Sequence, residues 1–241
     1  MLHYSRSVEF STLDTPCSYL SAQTTRMAYR YIENASMALN QQLVERGWRR
    51  FGNYYSRPQC FGCNACLNLR IDVKNYTFSH SAKRVFKKAE GIRYVIQTPT
   101  LSREHLELYD TYHQFMQAKR GWNYHELKPQ SYHELYVCGA HNFGKEILYF
   151  QGEKLIGVDL VDFLDNGLSS IYFFYDPTFQ KLSLGRLSIY EQILLAKEYD
   201  LEWIYLGYWV QECQSLSYKA RYAPYQILQG NPSLEEDAMW V

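Results

Sequence analysis

Three cysteines at two-residue intervals, Cys60, Cys63 and Cys66, hold the densest chemistry in the sequence. C-x2-C-x2-C spacing lets one turn bring successive thiolates onto one ion, and Gly62 gives that turn its backbone freedom. Cys17, after Pro16, is the candidate fourth ligand. A soft S4 set suits Zn or an Fe–S cluster, and three thiols in a small buried turn without metal are the alternative. Cys138 and Cys213 stand apart and read as core residues or bystanders. A second set is cationic. Lys83, Arg84, Lys87 and Lys88 share one flank of a helix over Ser79–Glu90, with Arg93 just beyond, a stripe that fits nucleic-acid phosphates or a solvated face. A third lies at Leu184-Gly185-Arg186, where the start of a long helix offers free backbone N–H groups to an anion.

Periodicity and capping residues give the elements that position these groups. Ser36 caps a helix that ends at Gly47, and a strand-like run, Trp48 to Ser56, leads into the cysteine loop. Leu67, Leu69, Ile71 and Val73 alternate with polar residues as a half-buried strand. A short strand over Arg93–Gln97 precedes helices at Ser102–Lys119 and Gln130–Cys138, with a loop over 120–128 between them. Strands follow at Ile147–Gln151, Leu155–Leu164 and Ser169–Tyr175, then a helix over Leu184–Asp200 and a strand over Trp203–Trp209. The order β-β-β-α-β predicts an α+β domain whose sheet packs against long helices. The acidic tail, residues 231–241, reads as loosely held.

The chain has 241 residues, 46% of them hydrophobic, which is enough for a packed interior and argues against wholesale disorder. No run of roughly eighteen apolar residues occurs, so no membrane helix is expected. The first residues lack the basic-then-apolar order of a signal peptide, and a cytoplasmic location is expected. Net charge is zero, but residues 1–93 hold fourteen Lys and Arg against six Asp and Glu, and residues 94–241 hold eleven against nineteen. This polarity divides the chain into a basic, cysteine-containing N-terminal region (1–93) and an acidic C-terminal domain (94–241). It favours an acidic polymer as partner of the first.

An ordered series of blocks adds a resemblance. Pro16-Cys17-Ser18-Tyr19-Leu20, Gly47-Trp48-Arg49-Arg50, Tyr55-Ser56-Arg57-Pro58 and the stretch Cys60 to Ile71 are similar to successive motifs of the bacterial leucyl-tRNA–protein transferases, the aspartate/glutamate leucyltransferases. So are Gly167 to Pro177, Ser183-Leu184-Gly185, Tyr205 to Trp209 and Tyr218 to Pro224. The series spans about residues 16 to 230, and a more distant likeness joins the arginyl-tRNA–protein transferases. The resemblance implies a GNAT-like acyltransferase C-terminal domain beside a smaller cysteine-containing N-terminal α/β region. It implies an aminoacyl-tRNA donor carrying Leu, or Arg in the more distant relatives, and acceptor proteins that begin with Asp or Glu and are thereby marked for N-end rule degradation.

An aminoacyl ester is already activated, so transfer requires no cofactor: positioning, a neutral acceptor amine and a stabilised carbonyl oxygen suffice. Within the matched blocks, Arg57, Arg70, Lys219 and Arg221 are candidates to clamp the acidic acceptor side chain, or else surface ion-pair partners. Tyr172, Tyr175, Tyr205 and Tyr208 lie on strands expected to line the cleft, as hydrogen-bond donors or adenine-stacking groups or simply as core. Of these, Tyr172 and Tyr208 are the catalytic candidates, with Asp176 as base or amine binder; an Asp-Pro turn is the other role for Asp176. Lys83, Arg84, Lys87, Lys88 and Gly185 are the tRNA-binding candidates. The alternatives are an acyl-CoA-dependent N-acetyltransferase, disfavoured by the single Gly between Gln180 and Leu187, and a non-catalytic metal-containing RNA-binding protein.

Overall fold

The computed structural model describes residues 7–241, so the first six positions of the basic region lie outside the described residues. The chain opens with strands β1 (Ser7–Ser11), β2 (Thr15–Pro16), β3 (Thr24–Thr25) and β4 (Met27–Ile32), then helix α1 (Met37–Glu45). Strands β5 (Arg49–Phe51), β6 (Tyr54–Pro58) and β7 (Leu67–Asp72), helix α2 (His80–Lys88) and strand β8 (Ile92–Gln97) follow. Helices α3 (Arg103–Arg120) and α4 (Pro129–Tyr132) precede β9 (Gly144–Gln151), β10 (Lys154–Phe163) and β11 (Gly167–Tyr175). Helix α5 (Leu184–Glu198), β12 (Trp203–Trp209) and β13 (Tyr225–Ile227) complete a mixed α/β fold.

The larger sheet has seven strands in the order β13-β7-β12-β11-β10-β9-β8, and a smaller one runs β1-β4-β6-β5. Within the larger sheet β11 and β12 run parallel and its other neighbours run antiparallel. A parallel pair needs a crossover, and α5 supplies it. β10 serves both faces: Ile156, at the bulge between Leu155 and Gly157, and Val161 pack under α2 and α5, whereas Val158 and Leu160 meet Leu108 of α3 and Tyr132. Local chemistry starts the helices. Ser36, Ser79 and Ser102 each accept a hydrogen bond from the backbone N–H three residues on, at 3.2, 3.3 and 3.3 Å. Helix α3 stops at Gly121, whose φ of 67° is left-handed.

The two sheets are pinned together by a buried ion pair. Arg50 of β5 reaches Asp162 of β10 through Nε and Nη2 at 2.7 and 2.6 Å. Asn40 also donates to Asp162, and the Tyr55 hydroxyl donates to Asn40. Every member of this network is buried, so its polar atoms depend on one another.

Several expectations change. The run Trp48–Ser56 is a hairpin, β5 and β6, because Gly52, with φ 60°, turns the chain. The helix over Gln130–Cys138 begins as α4 and widens into a π-helical turn over His133–Val137. Residue 93 lies in β8, and β7 is paired on both sides, to β12 and β13, so the larger sheet draws strands from both sides of the charge boundary. Nor is the tail loose. Ile227 and Val241 exchange backbone hydrogen bonds of 2.7 and 3.1 Å, Arg46 donates to the carbonyls of Ser233 and Glu236, and the Trp240 indole donates to Glu45 O.

Candidate active site

Strands β11 and β12 pair only from Gly167↔Trp203 to Ser169↔Tyr205 and then part. Ser170, Ile171, Tyr172 and Phe173 are therefore only half-buried although β11 is an interior strand of the sheet. At the fork, β12 shifts register against β7 between Tyr205 and Gly207, and Gly207 adopts φ 71°. The Arg49 guanidinium bridges the parting strands, donating to Ser170 O on one and Tyr205 O on the other. The positive φ of Gly207 favours glycine, and a Cβ there would stand 2.5 Å from Arg49 Nε and push the guanidinium aside. Lys219, on a 3-10 turn over Ser217–Arg221, donates to Leu206 O and Tyr208 O at 2.7 and 2.8 Å. Burial, reinforced by the Arg49 charge, lowers the Lys219 ammonium to about 7. A neutral amine still has two N–H groups, one for each carbonyl.

Aromatic rings wall the cleft. Tyr112 lies 5.1 Å from Tyr175 and 6.4 Å from Trp122 between ring centres. Tyr218 lies within electrostatic reach of Asp159, Arg120 and Arg49. Beside Tyr112 on α3, His113 Nε2 meets the Tyr172 hydroxyl at 2.6 Å, and His113 Nδ1 meets the carbonyl of Tyr109 at 2.7 Å. Under the floor, Gln192 of α5 donates to Asp159 and to the Ser170 hydroxyl. Burial pushes the Asp159 carboxyl up to about 7, with the Gln192 hydrogen bond opposing it. Asp159 Oδ1, Gln192 Oε1 and the Tyr149 hydroxyl are buried without a protein partner.

The residues singled out from sequence separate into several places. Tyr172 and Lys219 lie at the fork, and Tyr175 on the wall. Tyr208 is buried and its hydroxyl donates to Ser56 O at 2.9 Å, tying β12 to β6. Tyr205 faces Trp240 and accepts from Arg70. Asp176 caps the turn after β11, accepting from Thr178 N, Thr178 Oγ1 and Lys154 Nζ at 2.9, 2.7 and 2.7 Å. Burial opposes its ionisation, but the bonds from Lys154 and Thr178 prevail and hold it below the usual carboxylate value. Arg57 donates to Pro232 O at 2.8 Å and lies over the Trp48 ring. Arg70 donates to Gln226 and is stacked between Trp203 and Trp240, 3.7 and 4.5 Å from the ring centres. Arg221 is exposed. Both Arg57 and Arg70 contact the C-terminal tail.

Lys83, Arg84, Lys87 and Lys88 form the exposed side of α2, opposite the buried Ala82 and Val85. Arg186, in the first turn of α5, donates to Ser81 at 2.9 Å, which brings the basic stripe and Gly185 to neighbouring helix ends. Nothing lies within 4 Å of where a Gly185 Cβ would be, so sterics do not demand glycine there. Cys66 lies within electrostatic reach of Cys17, Cys60 and Cys63, and also of Cys213; burial first, then these thiols, push it up to about 12. Among the described residues, no three His, Cys, Asp or Glu side chains converge closely enough to hold a metal ion. Sequence reasoning missed Arg49, His113, Asp159, Gln192 and the place of Cys213. Arg49 carried a signal, the Arg49-Arg50 doublet inside a matched block; the others carried none.

A fork floored by the Arg49 guanidinium and the Lys219 amine, in a chain that also carries an exposed basic helix, is geometry suited to transferring a group from an anionic donor. The chain belongs to the arginine-tRNA-protein transferase family: residues 15–84 match its N-terminal part and residues 104–229 its C-terminal part. It is 49% identical over 234 residues to an aspartate/glutamate leucyltransferase of Campylobacter jejuni, covering 97% of this chain and 98% of that one. A Helicobacter hepaticus relative of the same name is 42% identical, with 98% of each chain covered. One of Hahella chejuensis is 33% identical, covering 92% and 94%. Among solved structures, L-PGS from Bacillus licheniformis aligns with a TM-score of 0.42 and 14% identity over 71% of this chain and 49% of that one. No helix among the described residues is long and apolar enough to cross a membrane.

Proposed function

We propose that this enzyme transfers leucine from leucyl-tRNA to the N-terminal Asp or Glu of proteins, marking them for N-end rule degradation, and that it works in the cytoplasm where charged tRNA is made. The parting of β11 and β12 over a floor of Arg49 and Lys219 carries this reading, together with near full-length relatives that bear that activity in their names. The aminoacyl end enters the fork, where unpaired strand edges from Ser170 onward offer backbone donors and acceptors. The parallel pair flanking α5 supports a GNAT-like ancestry for this domain. Arg49 stabilises the ester carbonyl as it gains negative charge and, with Arg221, attracts the acidic acceptor side chain, while Lys219 holds the β12 carbonyls of Leu206 and Tyr208 in place.

The basic region 1–93 presents the RNA through the exposed stripe of α2 beside the start of α5. Transfer draws on no cofactor. The thiols of Cys17, Cys60, Cys63 and Cys66 do not converge on one point as they stand, so a Zn ion or Fe–S cluster there would have to draw them together, outside the reaction, and metal analysis of the purified protein tests for it. The deciding experiment supplies radiolabelled Leu-tRNA or Arg-tRNA with peptides that begin with Asp, Glu or Lys. Label passing from Leu-tRNA to the Asp and Glu peptides alone is expected. Transfer from Arg-tRNA instead would reassign the donor, and acylation from coenzyme A thioesters with no response to RNA would overturn the reading.

A further inference from the structure

We propose that Tyr172 and His113 form a proton relay in which Tyr172 touches the acceptor's amine and His113 positions it and takes its proton. The proposal rests on the transfer reading above and assigns a role to a histidine that the sequence did not single out. Its basis is the direction of two hydrogen bonds. The carbonyl of Tyr109 can only accept, so the 2.7 Å contact fixes the proton of His113 on Nδ1. Nε2 then presents a lone pair, and at 2.6 Å the Tyr172 hydroxyl must donate into it. A tyrosine whose proton is already committed meets a ligand through its oxygen lone pairs. It is an acceptor, as an ammonium group requires.

Place and surroundings agree with this. Tyr172 lies on the half-buried stretch of β11 just past the fork, whereas His113 is buried behind it. His113 stacks on Tyr109 with ring centres 3.7 Å apart, and the Tyr136 ring runs parallel to Tyr172 with centres 5.9 Å apart, so both rings are flanked by aromatic neighbours. The loop over 121–128 folds back on α3, with Leu127 N donating to Asp110 and Tyr124 accepting from Gln114. It brings Trp122 and Tyr124 to 6.3 and 6.4 Å from the His113 ring. The titratable groups facing His113 are Tyr109, Asp110 and Tyr112 on its own helix, Tyr124 on the loop and Tyr172 on β11. Burial lowers the imidazole from its ordinary value, opposed by the Tyr109 carbonyl bond and then by Asp110, the carboxylate in that set.

The acceptor's ammonium gives one proton to Tyr172 Oη while Tyr172 passes its own to His113 Nε2. The neutral amine's electron pair then forms the C–N bond to the ester carbonyl. When the intermediate collapses, the bond to the ribose oxygen breaks and the imidazolium returns its proton through Tyr172 to that oxygen. The nitrogen's second surplus proton leaves to solvent as the amide forms. Without the relay, only acceptor molecules already deprotonated in solution react, and an α-amine has a reference pKa of about 8.

His113→Gln keeps a hydrogen-bond acceptor behind Tyr172 but cannot take the proton. The test compares kcat/KM for an Asp-initiated peptide from pH 6.5 to 9 in wild type, His113→Gln, Tyr172→Phe and the double variant, with tRNA affinity and thermal midpoint checked for each. Wild type is expected to stay nearly flat. His113→Gln is expected to fall about thirtyfold from pH 9 to pH 6.5, following the free-amine fraction. The double variant is expected to lose no more than Tyr172→Phe alone. If His113→Gln lowers activity by the same factor at every pH, the relay is overturned while the transfer reading stands. If wild type transfers nothing from any aminoacyl-tRNA, the transfer reading fails and takes the relay with it.

Discussion

Lys219 is held in an unusual state for a lysine. Its ammonium titrates near 7 in the folded chain, against 10.5 when free. Between those values the unfolded chain binds the extra proton, so folding stability rises with pH from about 7 to 10 and is level below 7. Lys219→Met removes that rise. Urea unfolding midpoints of the two proteins, compared from pH 6.5 to 9.5, should diverge as the pH climbs, and a constant offset contradicts the assignment. Gly207 is bound just as closely to its place. An alanine there meets the Arg49 guanidinium and a positive φ together, so Gly207→Ala should cut transfer at least tenfold while tRNA affinity stays within about twofold, a split that kinetics and binding measured side by side will show.

Helix α2 turns one face to the core and the other to solvent, which allows its charge to be changed without disturbing the fold. Reversing Lys83 and Lys87 to Glu should weaken tRNA binding and make the plot of log affinity against log salt shallower by about 1.8, if each contacts one phosphate. An unchanged slope would remove this helix from the RNA surface. By contrast, β5 and β10 are joined by a pair that cannot lose a member. Asp162→Asn leaves the Arg50 charge buried without its partner and should cost about 3–5 kcal/mol, read from urea unfolding. These elements also show what a sequence discloses. Ser36, Ser79 and Ser102 bond to the third residue onward, and a cap with its partner in the same turn is visible in any local window. The meander β9 to β11 alternates over stretches long enough to read. Tyr172 and His113 are 59 positions apart, and Arg49 meets Ser170 across 121, so no pattern in either neighbourhood could announce the contact. The tail misled for the same reason: its acidic, polar composition says nothing of Arg70 stacking on Trp240.

Across the entire chain, charge polarity and the order of strands and helices were legible, and the sharing of one sheet by both regions was not. Strand β7 is locally an ordinary alternating strand. Its partners are β12 and β13, whereas its nearest neighbours in sequence, β6 and β8, pair with other strands. This topology has a consequence for synthesis on the ribosome. After β7 is made, about 130 further residues must emerge before either of its edges can be covered. At 5–20 residues per second the interval is roughly 7–26 s, during which Leu69 and Ile71 are available to any extended chain nearby. Slower growth temperatures and chaperones that shield unpaired strands should therefore raise the yield of active enzyme more than they raise its total amount.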